Sequence, residues 1–596
     1  MNFATVTYDV CRAYVRDSEH LCDNDKERIL GWIRSRSFAK LASCQELLPT
    51  QHTPGRYRAL YQVAALFKKN SVFADERITT AAALENFLHA EQICRIANKR
   101  LDYYYLQRGR LAPDLSRQMD KATAFVERVL GKFDCFLDSL PERIKFTAGA
   151  TATLPRKTSL PCFKVSKKYD ATLGAAPYLR ALTEYFGYGS CKVRVAQHNR
   201  VEFVNKNWQT KRTIACEQTG NVPLQLAFDG YTKERLLQCA GIDLSDQSHN
   251  QEYARLASIF DHLATVDMRQ ASDTTAYNAV AWLFPQKWFE YLDSIRASIA
   301  VSGGAEELFQ PFRYAKFSSM GNGTTFTIET LVFAACAHAV GSKVFKVYGD
   351  DVIIEADLVD QFAKLVHFLG YSLNHAKTHS TGPFRESCGA NWFKGHDVTP
   401  FYVRKSPGNN AQWSHFVNGL ASVAVPEGEL WLYLRKLVKS QRLRLVPFNG
   451  DSMSGVWIDV PSAYQENLLT HRRGPREKFG PFEQRYLAYK AKTSRTYSGD
   501  TRSLFLWYHQ KWCRGLRKTL PAYSAKQMGR YVSALLSRKD THELHHNFLE
   551  DGACVERSVN TLAHGRYHSQ WVHWVAPSGD TPPHLYWWGT YLTAPN

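Results

Sequence analysis

The chain has 596 residues, 44% hydrophobic and 22% charged, which is typical of a folded globular protein and excludes compositional disorder. Its 75 Lys and Arg against 56 Asp and Glu give a net charge of +19, which favours a polyanionic partner such as a nucleic acid. A membrane surface is the weaker alternative, since no run of about 18 apolar residues occurs. The scattered cysteines include no CxxC pair and the N-terminus has no signal pattern, so we expect a cytoplasmic protein with reduced thiols.

The predicted elements change character along the chain. Residues 1–140 are predicted to be mostly helical, with apolar residues at helical spacing over Thr80–Leu106. A Gly, Thr and Pro-rich stretch over Phe146–Pro161 indicates a loop. The last third, from about Phe401, is predicted to be more helical and is strongly basic. Its final residues are aromatic, and we expect them to pack in a core rather than stack on bases: Trp571, Trp574, Tyr586, Trp587 and Trp588.

The middle third alternates strands and helices. An apolar run at Leu263–Val266 predicts a strand, and Phe326–Ala339 predicts an apolar helix. Further along the chain, two strands, a helix and a short strand are predicted in order, at Val344–Tyr348, Val352–Ile354, Asp360–Leu369 and Tyr371–Leu373. This order predicts an α+β layer with helices under an antiparallel sheet.

The turn between the two central strands carries the first candidate site. Gly349, Asp350 and Asp351 suit a tight turn, but two adjacent carboxylates repel each other. A pair of Mg²⁺ ions would relieve that repulsion, because Mg²⁺ prefers carboxylate oxygens and substrate phosphates. Such a pair can activate an attacking oxygen and stabilise a leaving one in phosphoryl transfer. An ordinary Asp-rich turn is the alternative.

A third carboxylate is expected from another strand, and two segments offer one. Asp267 ends a short apolar run, and Asp273 follows six residues later at the start of an apolar helix. Asp243 follows a Gly-containing turn and is better interpreted as a turn or helix-capping acid. We therefore expect Asp267 to join Asp350 and Asp351.

Two further segments could hold a substrate. A Gly-rich loop, Ser318–Gly323, opens a helix whose first amides can bind phosphate or ribose, although a helix cap is the alternative. A basic segment upstream could neutralise a triphosphate, although a solvated charged face is the alternative. The candidate residues in these segments are Lys206, Lys211, Arg212, Glu217, Gly321, Asn322, Thr325 and Glu329.

Taken in order, these segments resemble the replicases of single-stranded RNA bacteriophages of the levivirus, or Qβ, type. The resemblance covers about residues 200–405 and lies in Gly241–Gln251, Ala264–Asp267, Ala271–Asp273, Ser318–Gly323, Tyr348–Asp351, Gly382–Gly389 and Asp397–Tyr402. It implies an RNA-directed RNA polymerase shaped as a right hand of fingers, palm and thumb, with an antiparallel palm sheet packed on helices. It also implies template-directed RNA synthesis from NTPs in the cytoplasm of an infected bacterial host.

The resemblance also implies roles for particular residues. Asp267, Asp350 and Asp351 would bind two Mg²⁺ ions, with Mn²⁺ able to substitute, and Lys377 would protonate the leaving pyrophosphate. Lys206, Arg212 and Glu217 match the fingers motif that meets the triphosphate. The chain departs from the family at Lys211, where an acid is expected, and at Met268–Gln270, which replace a small polar run. Ribose reading by Asp273, with Thr325 or Glu329, is a hypothesis.

Expected domains are an N-terminal helical and fingers region at 1–199, fingers with the basic motif at 200–262, a palm at 263–400 and a thumb at 401–596. Expected partners are RNA template and product, NTPs and, by resemblance, host elongation factors Tu and Ts and a ribosomal RNA-binding protein. No membrane partner is expected.

Three rival interpretations were weighed. A reverse transcriptase also carries two adjacent Asp residues on a hairpin, but Gly349 before them disfavours it. A non-catalytic basic RNA-binding protein is the alternative from another class. A zinc-protease string of the HExxH type at His542–His546 lacks a recognisable third ligand, so we expect a polar surface helix there.

Overall fold

The structure, a computed structural model, describes residues 2–44, 53–147, 149–155, 164, 168–185, 190–304, 307–447 and 451–458, with the backbone of 483–491 and 567–575. The HExxH segment at His542–His546 and the aromatic residues 586–588 lie outside the described residues, so their interpretation stays a prediction. None of the described helices is long and apolar enough to cross a membrane.

Helices dominate the first 143 residues, as predicted. The helix predicted over Thr80–Leu106 begins earlier, at Glu76, because the Asp75 carboxylate caps it by accepting hydrogen bonds from the Arg77 and Ile78 amides at 2.9 and 3.1 Å. The α-helices here are α1 (Phe3–Asp17), α2 (Asp23–Arg34), α3 (Phe38–Ala42), α4 (Pro54–Lys68), α5 (Glu76–Leu106), α6 (Pro113–Leu130) and α7 (Phe133–Arg143).

Helices and strands alternate in the middle of the chain. The later helices are α8 (Ala176–Tyr185), α9 (Asn221–Ala240), α10 (Ser248–Phe260), α11 (Ala271–Thr274), α12 (Tyr277–Leu283), α13 (Gln286–Ser294), α14 (Thr325–Ala339), α15 (Val359–Leu369), α16 (Asn410–Ala421) and α17 (Glu429–Ser440). Short 3-10 helices occur at Ser71–Phe73, Arg108–Arg110 and Ala356–Leu358.

Sixteen strands are found among the described residues. They are β1 (Lys168–Ala171), β2 (Lys192–Val195), β3 (His198–Asn205), β4 (Lys211–Cys216), β5 (Leu263–Asp267), β6 (Ile299–Ser302), β7 (Phe312–Arg313), β8 (Lys346–Tyr348), β9 (Asp351–Glu355), β10 (Phe384–Ser387), β11 (Ala390–Phe393), β12 (His396–Asp397), β13 (Leu445–Pro447), β14 (Val456–Ile458), β15 (Glu483–Ala491) and β16 (Tyr567–Val575). Trp571 and Trp574 lie on β16, which pairs with β15 in antiparallel fashion.

The central sheet has three antiparallel strands in the order β5, β9, β8. It confirms the predicted strands at 263–266, 344–348 and 352–354, and the helices α14 and α15 confirm the predictions beside them. The predicted strand at Tyr371–Leu373 was wrong, because only Leu373 pairs, in a single bridge to Met268, before the chain turns at Asn374. With a four-stranded sheet in the order β4, β3, β6, β7, the architecture is the expected α+β class.

Two large hydrophobic cores organise the described residues. The first contains the central sheet, α14 and α15, and receives buried residues from α5, α6 and α7. The second joins α1, α2 and α4 to α16 and α17, which follow some 350 residues later. The expected 1–199 domain is therefore not a single packing unit, since its first four helices share a core with residues 403–456.

Candidate active site

The turn between β8 and β9 requires the glycine that precedes the two aspartates. Gly349 has a φ of +63°, in the left-handed region, and its amide donates a hydrogen bond to Thr330 Oγ1 at 3.0 Å. A Cβ atom at this position would lie 2.5 Å from the Phe326 ring. Thr330 and Phe326 of α14 thus hold the turn in place, and Asp350 and Asp351 lie at one end of the sheet.

Asp267 ends β5 at the same end of the sheet. In the antiparallel register, Asp267 lies directly opposite Asp351, and Asp351 pairs on its other side with Tyr348. The rival Asp243 lies partly exposed in a turn, where its carboxylate accepts hydrogen bonds from the amide and hydroxyl of Ser245 at 2.8 and 2.6 Å. The structure therefore brings Asp267 to the hairpin and leaves Asp243 as a turn acid.

Burial and repulsion from neighbouring acids raise the pKa values of the two hairpin carboxylates. Burial and the neighbouring charges of Asp350 and Asp267 raise the pKa of Asp351 to about 7. Burial, followed by Asp267, also raises the pKa of Asp350. One backbone amide, that of Cys388, donates to Asp351 Oδ2 at 3.3 Å and acts in the opposite direction.

A short turn after α15 holds Asp267 in place. The Asn374 side-chain amide donates to Asp267 Oδ2 at 2.7 Å, and Lys377 Nζ lies 3.4 Å from Asp267 Oδ1. Burial would lower the pKa of Lys377, but Asp267, Glu386 and Asp351 together raise it. Asn374 was not anticipated, although its position three residues before Lys377 on a turn is visible in the sequence.

Glu386 was also missed. It lies on β10 and is one of the charges that raise the pKa of Asp351. A glutamate on an alternating strand carries no sequence signal for a site some 35 residues earlier, so only the fold could reveal it.

The basic β3–β4 hairpin brings two of the three predicted cations to the carboxylates. Burial, then Arg212 and Lys377, lower the pKa of Lys206, while Asp267 and Asp350 act in the opposite direction. The charge of Arg212 acts to lower the pKa of Asp350, against the larger effects of burial and Asp267. Lys211 instead pairs with Glu76 at the start of α5, at 2.9 Å, with its side chain 8% exposed. The structure thus brings Lys206 and Arg212, but not Lys211, to the carboxylates.

The expected triphosphate contact of Glu217 is corrected by its surroundings. Its side chain is buried, and its carboxylate accepts hydrogen bonds from Asn199 at 2.9 Å, Gln225 at 3.1 Å and the Ala297 amide at 3.1 Å. Burial raises its pKa despite these bonds. An enclosed acid with occupied oxygens cannot meet a triphosphate, so Glu217 serves to join β3, α9 and the segment before β6.

The Gly-rich loop is locked against β4. Gly321 has a φ of +114°, and a Cβ atom there would lie 2.2 Å from the Ala215 carbonyl oxygen. Asn322 Oδ1 accepts from the Thr324 amide at 2.9 Å, and Thr325 Oγ1 donates to the Ser319 carbonyl at 2.8 Å. Gly321, Asn322 and Thr325 therefore shape the loop, and the predicted opening of a helix by this loop is confirmed.

Glu329 and Asp273 lie behind the hairpin. Burial raises the pKa of Glu329 well above its ordinary value, and the charges of Asp350 and Asp273 raise it further. Glu329 Oε1 is enclosed and accepts no hydrogen bond from the described residues. Asp273 is 14% exposed, and its Oδ1 lies 2.8 Å from Lys316 Nζ. Burial thus favours the protonated form of Glu329, whereas Asp273 is ion-paired with Lys316.

The comparison with known proteins fits this arrangement of carboxylates and bases. The family model described as RNA replicase, beta-chain, matches residues 39–428. The chain belongs to the RNA replicase beta-chain family. This membership confirms the family that the ordered motifs predict.

Curated relatives of this replicase chain come from RNA phages. RNA-directed RNA polymerase subunit beta of Enterobacteria phage SP is 34% identical over 62% of this chain and 65% of its own length. The protein of the same name from Escherichia virus Qbeta is 33% identical over 68% of this chain and 70% of its own length. The RNA-directed RNA polymerase beta chain of Escherichia phage MS2 is 32% identical over 44% and 49%.

Comparison with solved structures finds weak matches that include viral polymerases. The BmCPV RNA-dependent RNA polymerase at elongation state covers 55% of the replicase chain and 33% of its own chain, with a TM-score of 0.36 and 9% identity. The RNA-dependent RNA polymerase of a human picorbirnavirus covers 41% and 56%, with a TM-score of 0.29 and 12% identity.

Proposed function

We propose that this replicase chain synthesises RNA from nucleoside triphosphates on an RNA template by phosphoryl transfer assisted by two metal ions. The observation that carries the proposal is the register of the central sheet, in which Asp267 lies opposite Asp351, with Asp350 on the adjoining turn. The net charge of +19 supports a polyanionic template and product. Because the curated relatives are phage proteins, the template is the phage genome and the setting is the cytoplasm of the bacterial host.

The carboxylates Asp267, Asp350 and Asp351 suit Mg²⁺ or Mn²⁺. Their oxygens are hard donors. Burial and repulsion among the three carboxylates raise the pKa of Asp350 and Asp351, and a divalent cation would relieve that repulsion. Among the described residues, no three or more ligand side chains already form a cluster that could hold an ion. Mg²⁺ commonly uses one or two carboxylates plus substrate phosphates, so binding together with the triphosphate fits this arrangement. When bound, two such ions supply activation of the 3′-hydroxyl and stabilisation of the leaving pyrophosphate.

Three basic residues handle the triphosphate. Lys206 and Arg212 are close enough to the carboxylates to alter their titration, and they neutralise phosphate charge as the nucleotide enters. Lys377 is held at Asp267 and is protonated at neutral pH, because the surrounding acids raise its pKa. It is the proton donor for the leaving pyrophosphate.

We further propose the right-hand arrangement for the chain, with fingers at 200–262, palm at 263–400 and thumb from 401. The N-terminal helices α1 to α4 then support the thumb, since they share its core. The relatives are named as beta subunits, which supports assembly with other proteins. By family resemblance these are host elongation factors Tu and Ts and a ribosomal RNA-binding protein.

Incorporation of labelled NTPs on an RNA template, with Mg²⁺ and the full chain together with its assembly partners, tests the proposal. Asp350→Asn should reduce incorporation by at least about 100-fold, because it removes a charge aligned with the reacting phosphate. RNA binding in a filter or mobility assay should be retained. The matched control is Asp243→Asn at a partly exposed turn acid, because an asparagine side chain can keep the hydrogen bonds of the turn. Its incorporation should stay within about twofold of wild type. Undiminished synthesis by the Asp350 variant contradicts the assignment, and dNTP use in place of NTP use would indicate a reverse transcriptase.

A further inference from the structure

Lys316 is a fully buried cation next to the candidate ribose-reading residue. Its Nζ atom lies 2.8 Å from Asp273 Oδ1 and 3.7 Å from Glu91 Oε1, and its side chain is 0% exposed. The same ammonium lies 4.0 Å from the centre of the Phe87 ring. Lys316 immediately precedes the segment that leads into the Gly-rich loop, and it forms a backbone bridge with Ala276.

Two carboxylates share this one ammonium. Glu91 comes from α5 and uses its Oε2 atom to accept a hydrogen bond from the Ala315 amide at 2.7 Å. Asp273 comes from α11, six residues after Asp267, which ends β5. A buried ion pair adds little stability compared with apolar residues of the same volume, because desolvation costs about as much as the attraction returns. Its presence beside a reaction centre therefore calls for a role other than stability.

The ion pair occupies only one oxygen of Asp273. Oδ1 is held by Lys316, and among the residues that the structure describes no hydrogen bond to Oδ2 is found. The side chain keeps 14% exposure, whereas Lys316 and Glu91 are enclosed. Lys316 thus holds Oδ1 of Asp273, and Oδ2 stays available to accept a hydrogen bond.

We propose that Lys316 is the positioning residue for ribose selectivity: it holds Asp273 so that Oδ2 accepts a hydrogen bond from the 2′-hydroxyl of the incoming nucleotide. The inference rests on the proposed RNA synthesis and deepens it by naming what orients the ribose contact. Lys316 itself does not touch the nucleotide, since its ammonium is enclosed by Asp273, Glu91 and Phe87.

The test compares single incorporation of CTP, 2′-deoxy-CTP and 3′-deoxy-CTP by the full chain with its assembly partners. Lys316→Met should lower the ratio of kcat/KM for CTP over 2′-deoxy-CTP by about tenfold or more, the range for one lost hydrogen bond to a charged group. The ratio of kcat/KM for CTP over 3′-deoxy-CTP should not change, because both substrates carry the 2′-hydroxyl. Lys316→Arg keeps the charge and should retain most of the selectivity. A purely structural role would lower all three rates equally, and that outcome overturns the inference.

A second pair of variants covers the case in which Lys316→Met does not fold. Lys316→Met with Glu91→Gln removes one cation and one anion together, so the buried net charge is unchanged, and selectivity should still fall. Glu91→Gln alone should keep selectivity, because Lys316 still holds Asp273. Adding Lys316→Met to Asp273→Asn should cause no further loss, since both act through one contact.

Asp273→Asn supplies a reading that does not depend on the folding of any Lys316 variant. Selectivity must fall in it, and unchanged selectivity overturns the inference. The two levels of the argument fail separately. If the wild type makes no RNA, the proposed function fails. If the wild type makes RNA and the Lys316 variants keep their 2′-selectivity, only the role of Lys316 fails.

Discussion

Buried charge is treated in opposite ways in the two cores. In the core shared by the N-terminal and C-terminal helices, the enclosed Asp25 is surrounded by partners. Arg56 lies 2.7 Å away and Arg28 2.9 Å away, so its pKa stays below the ordinary value although burial acts to raise it. In the central core, Asp351 and Glu329 face other acids, and their pKa values are raised. The helical core satisfies its charges, whereas the sheet end retains repulsion that a cation or substrate can relieve.

The largest expected effect separates activity from stability at the hairpin. Asp351→Asn should reduce incorporation by about 100-fold or more, yet it should raise the thermal stability of the metal-free protein at pH 8. The sign follows from the raised pKa. Asp351 costs no stability at low pH, where it is protonated in both the folded and the unfolded protein. Stability is lost as pH rises from the ordinary pKa of an aspartate to the folded-state pKa of about 7, because over that interval the unfolded protein releases the proton more readily.

Melting curves in chelator from pH 5 to pH 8 measure this effect. The stabilisation by Asp351→Asn should shrink towards pH 5, where the wild-type carboxyl is itself mostly neutral. A variant less stable than wild type at pH 8 would break the contrast between the two cores.

The helical core should respond in the opposite direction. Asp25→Asn leaves Arg56 and Arg28 without their shared buried acid, and we expect a loss of about 1–3 kcal/mol in the free energy of unfolding. Incorporation per folded molecule should be unchanged, because Asp25 lies on α2, whose apolar residues pack in the second core. Denaturant titration and active-site-normalised kinetics measure the two quantities. A stability gain in this variant would show that its carboxylate is not paired as described.

The smallest effect is expected at Glu329. Burial raises the pKa of its carboxyl and so disfavours the charged form, and Glu329→Gln replaces it with an uncharged amide of similar volume. The free energy of unfolding should change by less than about 1 kcal/mol, with no dependence on pH between 6 and 8. A stabilisation that grows with pH, as expected for Asp351→Asn, would show instead that Glu329 is ionised.

The sequence could predict the parts of the site that lie on short, regular elements. Asp350 and Asp351 follow a glycine between two apolar strands, and Asp267 ends an apolar run, so strand periodicity placed all three. The helix α14 was equally visible because it is apolar throughout. These features depend on local spacing, which a single sequence records.

Features that depend on the tertiary fold could not be predicted. Lys211 and Arg212 are adjacent, but alternate faces of β4 send Lys211 to Glu76 and leave Arg212 near Asp350. Glu217 was expected to meet the triphosphate, because the sequence does not show that the side-chain amides of Asn199 on β3 and Gln225 on α9 enclose it. The partner of Asp273 lies 43 residues away at Lys316, and no local pattern connects them.

The shared core of α1, α2 and α4 with α16 and α17 has a consequence for the order of folding during synthesis. The central core is complete once about 373 residues have emerged, but the first helices must wait for their partners beyond residue 403. Asp17 illustrates the delay, because its carboxylate caps α17 by accepting from the Glu429 and Leu430 amides, both at 2.8 Å. At about 10 residues per second the nascent N-terminus carries unmatched apolar faces for roughly half a minute, an interval in which a chaperone can bind it.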